Sequence, residues 1–258
     1  MKLIESSDLF LLVVAHPDDE CMFFFPTIVH LASATGGIPF YILCMSNGNY
    51  NGLGRQREKE FIKAALVLCI DASNVNIIDD PLLQDNPHVD WDEELVSDRI
   101  FRHVQLLLAE NGQDKQTNVT IITFDKYGIS GHRNHISIYR GVQHLVRNDR
   151  RKFQFGGIIS MRAICLLSVS SVFQKYVPFV YFMEILWHYR NAKSDTVYHL
   201  TSINLVLAWR ALSTHQSQFV WYRKLSILFS RYTYFNQLVE IKTTSLLGTQ
   251  RNKEMMQN

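Results

Sequence analysis

Between residues 15 and 20 the chain reads AHPDDE, with an imidazole and three carboxylates in five consecutive positions behind the apolar run LFLLVVA (9–15). Such a cluster is costly to bury unless its members are paired, protonated or bound to a cation. A second polar cluster, FDKYGISGHRNH (124–135), follows the apolar run VTIITFD and ends in two histidines three residues apart. At helical spacing His132 and His135 share a face, and so do His16 and Asp19. Imidazole, carboxylate and imidazole form an ordinary catalytic zinc set with a fourth position left for water. A spare carboxylate beside that water can act as general base, and a spare histidine can stabilise an oxyanion.

Each motif alone has a plainer explanation. Asp18 or Asp19 can cap a helix N-terminus, and His132 and His135 can belong to a polar helix start on a surface loop. The residues by themselves leave Asp18 and Asp19 interchangeable. His16 and Asp18 also form the H-x-D of non-haem iron oxygenases, but those sites usually occupy double-sheet β folds. A metal-free carbohydrate-binding module is a third reading, against which stands the completeness of the set.

The elements that must position these residues alternate through the first two thirds of the chain. Strands are expected at LFLLVVA, PFYILCMS (39–46), VNIID (75–79) and VTIITFD (119–125). Helices are expected at FFFPTIVHLAS, RQREKEFIKAALVLCI (55–70), WDEELVSDRIFRHVQLLLAEN (91–111) and from His132 to Arg147. Pro17 suits a first helical turn, with Asp18 to Glu20 beside it. Near-continuous apolar strands alternating with helices imply an α/β fold, a parallel sheet covered on both faces. In such sheets ligands bind outside the carboxyl ends of the strands. AHPDDE, SNGNYNGLGRQRE and FDKYGISGHRNH all fall at those ends. Beyond residue 158, AICLLSVSS and DTVYHLT read as strands and INLVLAWRALSTHQSQ as a helix. No linker or repeat divides the 258 residues, so one domain is expected, ending in an aromatic and basic helical segment at 219–238.

A formal net charge of +2 demands no nucleic-acid partner. RNDRRK (147–152) reads as a solvated turn, and the sequon at Asn118 as a chance match opening a buried strand. Cys21, Cys44, Cys69 and Cys165 stand apart in apolar contexts, as reduced, packed thiols do. No signal peptide is visible, and no apolar run reaches the ~18 residues of a transmembrane helix.

AHPDDE together with FDKYGISGHRNH resembles the signature of the PIG-L/LmbE-like zinc deacetylases. The likeness to their eukaryotic branch continues through CMSNGNYNGLGRQREKE, IIDDPLLQDNPHVDWDEE and HQSQFVWYRKLSILFSRY, from about residue 8 to 238. It implies a Rossmann-like fold and removal of acetyl from an N-acetylglucosamine conjugate, here a glycophosphatidylinositol lipid used in GPI-anchor biosynthesis. It implies His16, Asp19 and His135 as ligands of Zn2+ or another divalent metal, Asp18 as general base and His132 as oxyanion stabiliser. Arg55 is a candidate for contacting the substrate phosphate, or equally a helix-start arginine paired with an acid such as Glu58. Eukaryotic members often begin with a transmembrane helix, whereas this chain begins almost at its first strand. Peripheral attachment to the cytoplasmic face of the endoplasmic reticulum is therefore expected, with Arg223, Lys224 and Arg231 near lipid phosphates.

Overall fold

The computed structural model describes residues 3, 6–34, 37–110, 117–148, 158–191 and 197–241. The elements run β1 (Leu9–Val14), α1 (Asp19–Met22), α2 (Phe25–Ala34), β2 (Phe40–Cys44), α3 (Gly54–Val67), β3 (Val75–Ile77), α4 (Glu93–Glu110), β4 (Thr117–Phe124) and α5 (Gly128–Gly131). They continue with α6 (Arg133–Asn148), β5 (Ile158–Leu166), α7 (Val172–Tyr176), α8 (Pro178–Asn191), β6 (Val197–Thr201), α9 (Leu205–Ser213), α10 (Trp221–Phe229), α11 (Arg231–Tyr234) and β7 (Phe235–Glu240).

The seven strands form one sheet in the order β3-β2-β1-β4-β5-β7-β6. The first five are mutually parallel, with Leu12 of β1 opposite Ile42 on one side and Ile122 on the other. All six residues of β1 and all five of β2 are buried. Alternate side chains of a strand point to opposite faces, so a fully buried strand is covered on both. From β1 the chain winds outward to β2 and β3, then crosses back to β4 and β5. The winding therefore reverses between β1 and β4, and a crevice opens at their carboxyl ends. Both polar clusters leave the sheet there.

The C-terminal segment departs from a single helix over 219–238. α10 ends at Phe229, Ser230 is extended, and Phe235–Glu240 becomes a strand antiparallel to both β5 and β6. The aromatic and β-branched residues of TYFNQLVE suit a pleated surface, and Leu238 is fully buried beside Leu166. Three cysteines are buried, but Cys69 is exposed. It takes a left-handed φ of 61° just past α3, where Ile70 N–H closes back on the Ala65 carbonyl, a place usually filled by glycine. Asn118 lies in β4, with its amide and backbone N–H both donating to Asp8. Much of RNDRRK falls outside the described residues.

Candidate active site

The turn after β1 folds around Asp19. Its Oδ2 accepts the backbone N–H groups of Ala15 (3.0 Å) and His16 (2.9 Å), which draws the carboxylate under the end of the strand. The helix starts at Asp19 rather than at Pro17, because Asp18 adopts φ 118°, ψ −18°. A non-glycine residue there costs about 1–3 kcal/mol and persists only when its surroundings hold it. The holder is Glu20: one oxygen accepts Asp18 N–H at 3.0 Å, and the other meets His215 Nε2 at 2.6 Å. Glu20 and His215 are both fully buried. Cys21 lies close enough to complete a second potential metal set with them, but Glu20 Oε1 already accepts from both Cys21 and His215. This group is a clamp on the turn. The left-handed residue turns the two aspartates apart, Asp19 toward the histidines and Asp18 toward arginines.

The loop after β4 is tied by Asp125, whose Oδ1 accepts from the Tyr127 and Gly128 amides. Gly128 has φ +58°, and a Cβ there would lie 2.9 Å from His135 Cβ. Only a glycine lets the carbonyl of residue 128 receive His135 Nδ1 at 3.1 Å. His135 also stacks on Phe124 at 4.0 Å between ring centroids. The rings of His16, His132 and His135 lie 4.7–5.4 Å apart.

Proton placement separates the histidines. A carbonyl only accepts, so His135 Nδ1 carries the hydrogen and Nε2 a lone pair. That buried Nε2 has no hydrogen-bond partner, although Asp19 Oδ1 stands 3.2 Å away. His16 Nε2 faces two acceptors, Asn134 Oδ1 (3.1 Å) and Asp85 Oδ1 (3.2 Å), which leaves the lone pair on Nδ1, 3.6 Å from Asp19 Oδ2. Asn134 is oriented by its own bonds, from Nδ2 to the Val89 carbonyl and from the Asn86 amide to Oδ1. His16 Nδ1 and His135 Nε2 thus both face the Asp19 carboxylate. The donor atoms of His16, His132 and His135 also lie within 4.8 Å of one another, which brings His132 within reach of the same cation. A cation fits that set, and the outer partners of both rings fix the tautomers a metal needs. His132 differs: its Nδ1 accepts from the Asn134 amide at 3.3 Å, so the ring's hydrogen is on Nε2 and it is a donor.

Charge acts differently on each of these groups. Burial opposes ionisation of Asp19, but His135 and His16 hold its carboxyl well below the usual range. Burial disfavours the His16 imidazolium, yet Asp85 and Asp19 raise its pKa. Burial, with His16 and His135 nearby, lowers His132 to about 4, leaving a neutral ring at pH 7.

These residues line a cavity of about 280 Å³ with Asp18, Arg57, Asp85 and Arg223. Arg55 is exposed on α3 and is not among the residues lining it. Two positions on, Arg57 is buried. It donates to the carbonyls of Gly48 (2.9 Å) and Pro17 (2.7 Å) and stands near Asp85 (3.4 Å) and Asp18 (3.7 Å). The helical phase places it there: Gly54, Arg57, Glu60, Phe61, Ala64 and Ala65 are the buried residues of α3. Glu60, buried on the same stripe, accepts from Ser217 instead and does not line the cavity. Asp85 and His215 carry no comparable local signal, and Arg223, expected among the basic residues facing lipid, instead reaches Asp18.

An open α/β sheet with a three-donor cation set at its switch point, flanked by a carboxylate and an imidazole donor, is equipped for metal-assisted hydrolysis. Residues 11–146 match the family described as GlcNAc-PI de-N-acetylase (PIG-L). The chain is 37% identical over 229 residues to the N-acetylglucosaminyl-phosphatidylinositol de-N-acetylase of Bos taurus, spanning 88% of this chain and 81% of that protein. It is 34% identical over 262 residues to a probable enzyme of the same name from Dictyostelium discoideum, spanning 93% and 95%. The fold is similar to N,N'-diacetylchitobiose deacetylase from Pyrococcus horikoshii, with a TM-score of 0.59 at 13% identity over 92% of this chain and 85% of that one. The chain belongs to the GlcNAc-PI de-N-acetylase (PIG-L) family.

Proposed function

We propose that this protein is a zinc-dependent hydrolase that converts N-acetylglucosaminyl-phosphatidylinositol to glucosaminyl-phosphatidylinositol and acetate, an early step of GPI-anchor biosynthesis. One observation carries the reading: His16 Nδ1 and His135 Nε2 face the Asp19 carboxylate at 3.6 and 3.2 Å, in a cavity that Asp18 and His132 also line. The names of the relatives supply the substrate. When bound by His16, Asp19 and His135, zinc supplies a Lewis acid that polarises the acetamide and acidifies water. The protein's own groups do the rest. An oxygen of Asp18 takes the proton of the attacking water as the new C–O bond forms, then delivers it to the amine nitrogen as the C–N bond breaks. His132 donates from Nε2 to the acetamide oxygen as negative charge develops there. Asp85, Asn134 and the Gly128 carbonyl keep the His16 and His135 rings turned inward.

A lipid substrate requires work at a membrane surface, and we place it at the cytoplasmic face of the endoplasmic reticulum. No described helix is long and apolar enough to cross a membrane. Attachment falls instead to α10, which exposes Trp221, Tyr222, Leu225, Leu228 and Phe229. Acetate release from N-acetylglucosaminyl-phosphatidylinositol, measured after chelation and again after zinc is restored, tests the proposal. Activity that vanishes and returns is the expected result. No release with zinc verifiably bound refutes it and leaves a glycolipid-binding subunit.

A further inference from the structure

Arg223 stands in the first turn of α10 and lines two cavities. One is the 280 Å³ catalytic cavity, and the other is a neighbouring cavity of about 450 Å³ at α7 and α10. Met22, Phe23 and Ser130 line both as well, so the two are one cleft with Arg223 at the junction. The chemistry changes along it. The catalytic end gathers Asp18, Asp19 and Asp85, whereas no residue lining the larger cavity is acidic. The larger cavity instead holds Arg223 and Lys175 among apolar walls that include Phe23, Leu225 and Phe229. Lys175 donates to the Ile129 carbonyl at 3.0 Å, which points its ammonium along the wall. Burial lowers the Arg223 pKa to about 10, as it does for a guanidinium largely stripped of water.

We infer that this second cavity is the subsite for the phosphodiester of the substrate and the adjoining glycerolipid, with Arg223 and Lys175 as its cations. The inference rests on the proposed reaction and assigns the part of the substrate that the catalytic cavity does not take. The polar, acid-rich end suits a sugar and repels a phosphate. The junction offers a planar guanidinium that matches phosphate oxygens two at a time. Beyond it the apolar walls suit the lipid. Arg223 is also ion-paired with Asp18. A phosphodiester competes for that guanidinium and loosens its hold on the carboxylate, so the phosphate acts on turnover as well as on binding.

The test uses the zinc-loaded full chain and three substrates: N-acetylglucosaminyl-phosphatidylinositol in mixed micelles, its deacylated glycerophospho form, and N-acetylglucosaminyl-inositol lacking phosphate. Arg223→Gln is expected to lower the ratio of kcat/KM for phosphate-bearing over phosphate-free substrate by about 10- to 100-fold, the worth of charge-assisted hydrogen bonds. Arg223→Lys, a point charge without the fork, recovers part of that ratio, and Lys175→Gln lowers it further. Leu225→Glu is expected to lower the ratio of lipid over deacylated substrate, while Trp221→Glu, on the membrane face of α10 but outside the cavity, lowers binding to vesicles without changing that ratio in micelles. Equal effects of the two on the ratio would leave a site for phosphate alone. A fall of equal size on all substrates would overturn the assignment. Calorimetric binding of the glucosaminyl-inositol glycerophosphate product and its dephosphorylated form reads the subsite without turnover. A phosphate preference lost in Arg223→Gln, with no substrate deacetylated, sinks the proposed reaction and keeps the subsite. Deacetylation with no phosphate preference sinks the subsite alone.

Discussion

Replacing His215 by alanine separates the clamp from the chemistry it supports. His215 and Glu20 have no exposed surface, and their 2.6 Å contact joins positions 195 residues apart. Alanine leaves the Glu20 carboxylate buried against a void with one partner gone. Breaking a buried pair from one side costs about 3–5 kcal/mol. At about 2–4 °C per kcal/mol for a chain of this size, Tm should fall by roughly 6–20 °C. The same oxygen pair holds Asp18, because Glu20 Oε2 accepts the amide of that left-handed residue. With Glu20 loosened, the Asp18 carboxylate drifts, and an error of about 1 Å at a reacting group can cost on the order of 100-fold in rate. Glu20→Gln is the comparator. Its amide oxygen still accepts the Asp18 N–H, and its NH2 can donate to His215 Nε2 once the ring hydrogen moves to Nδ1, so the expected loss is smaller, about 1–2 kcal/mol. The assay is thermal unfolding by circular dichroism, paired with acetate release below the lowered Tm. A Tm within about 2 °C of wild type, with turnover unchanged, would refute the reasoning.

Three further outcomes are expected. Asp18→Asn should bind zinc as wild type does, by metal analysis after dialysis, while turnover falls about 10²- to 10⁴-fold, the usual span for a lost general base; a near wild-type rate would remove Asp18 from that role. Burial lowers His103 to about 4, so the unfolded chain takes up its proton near pH 6.5 and the native chain does not. Stability is therefore lost as pH falls from 6.5 toward 4, by at most about 3 kcal/mol at this position, and His103→Leu should flatten that part of the curve in urea titrations. A Cβ on Gly141 would lie 2.3 Å from Val96 Cγ1, where α6 meets α4. Overpacking of about 1–3 kcal/mol outweighs the roughly 1 kcal/mol gained in helix propensity, so Gly141→Ala should lower the urea midpoint rather than raise it.

The centre of the sheet was legible because β1, β2 and β4 are buried on both faces and read as apolar runs, and the helices between them carry their own period. The strand β7 was not, since its aromatic and β-branched residues follow directly on a helix and only pairing with β5 and β6 decides their state. Helical phase puts Arg57 on the buried stripe of α3 together with Glu60, so it alone did not single out Arg57, and the polar sequence around it drew attention to Arg55 instead.

The amino-acid sequence by itself determined the chemistry of the site: which residue types gather after β1 and β4, at spacings that put His16 with Asp19 and His132 with His135. Those relations are local, set by three-residue steps within one turn. Which aspartate faces the histidines, which ring nitrogen carries a lone pair, and which arginine enters the cleft were decided by the tertiary structure. Each depends on a partner brought from far along the chain, His215 for Glu20, Asp85 and Asn134 for His16, Arg223 for Asp18. No local pattern records such contacts, because only the packing of the sheet and its helices brings those groups within hydrogen-bonding distance.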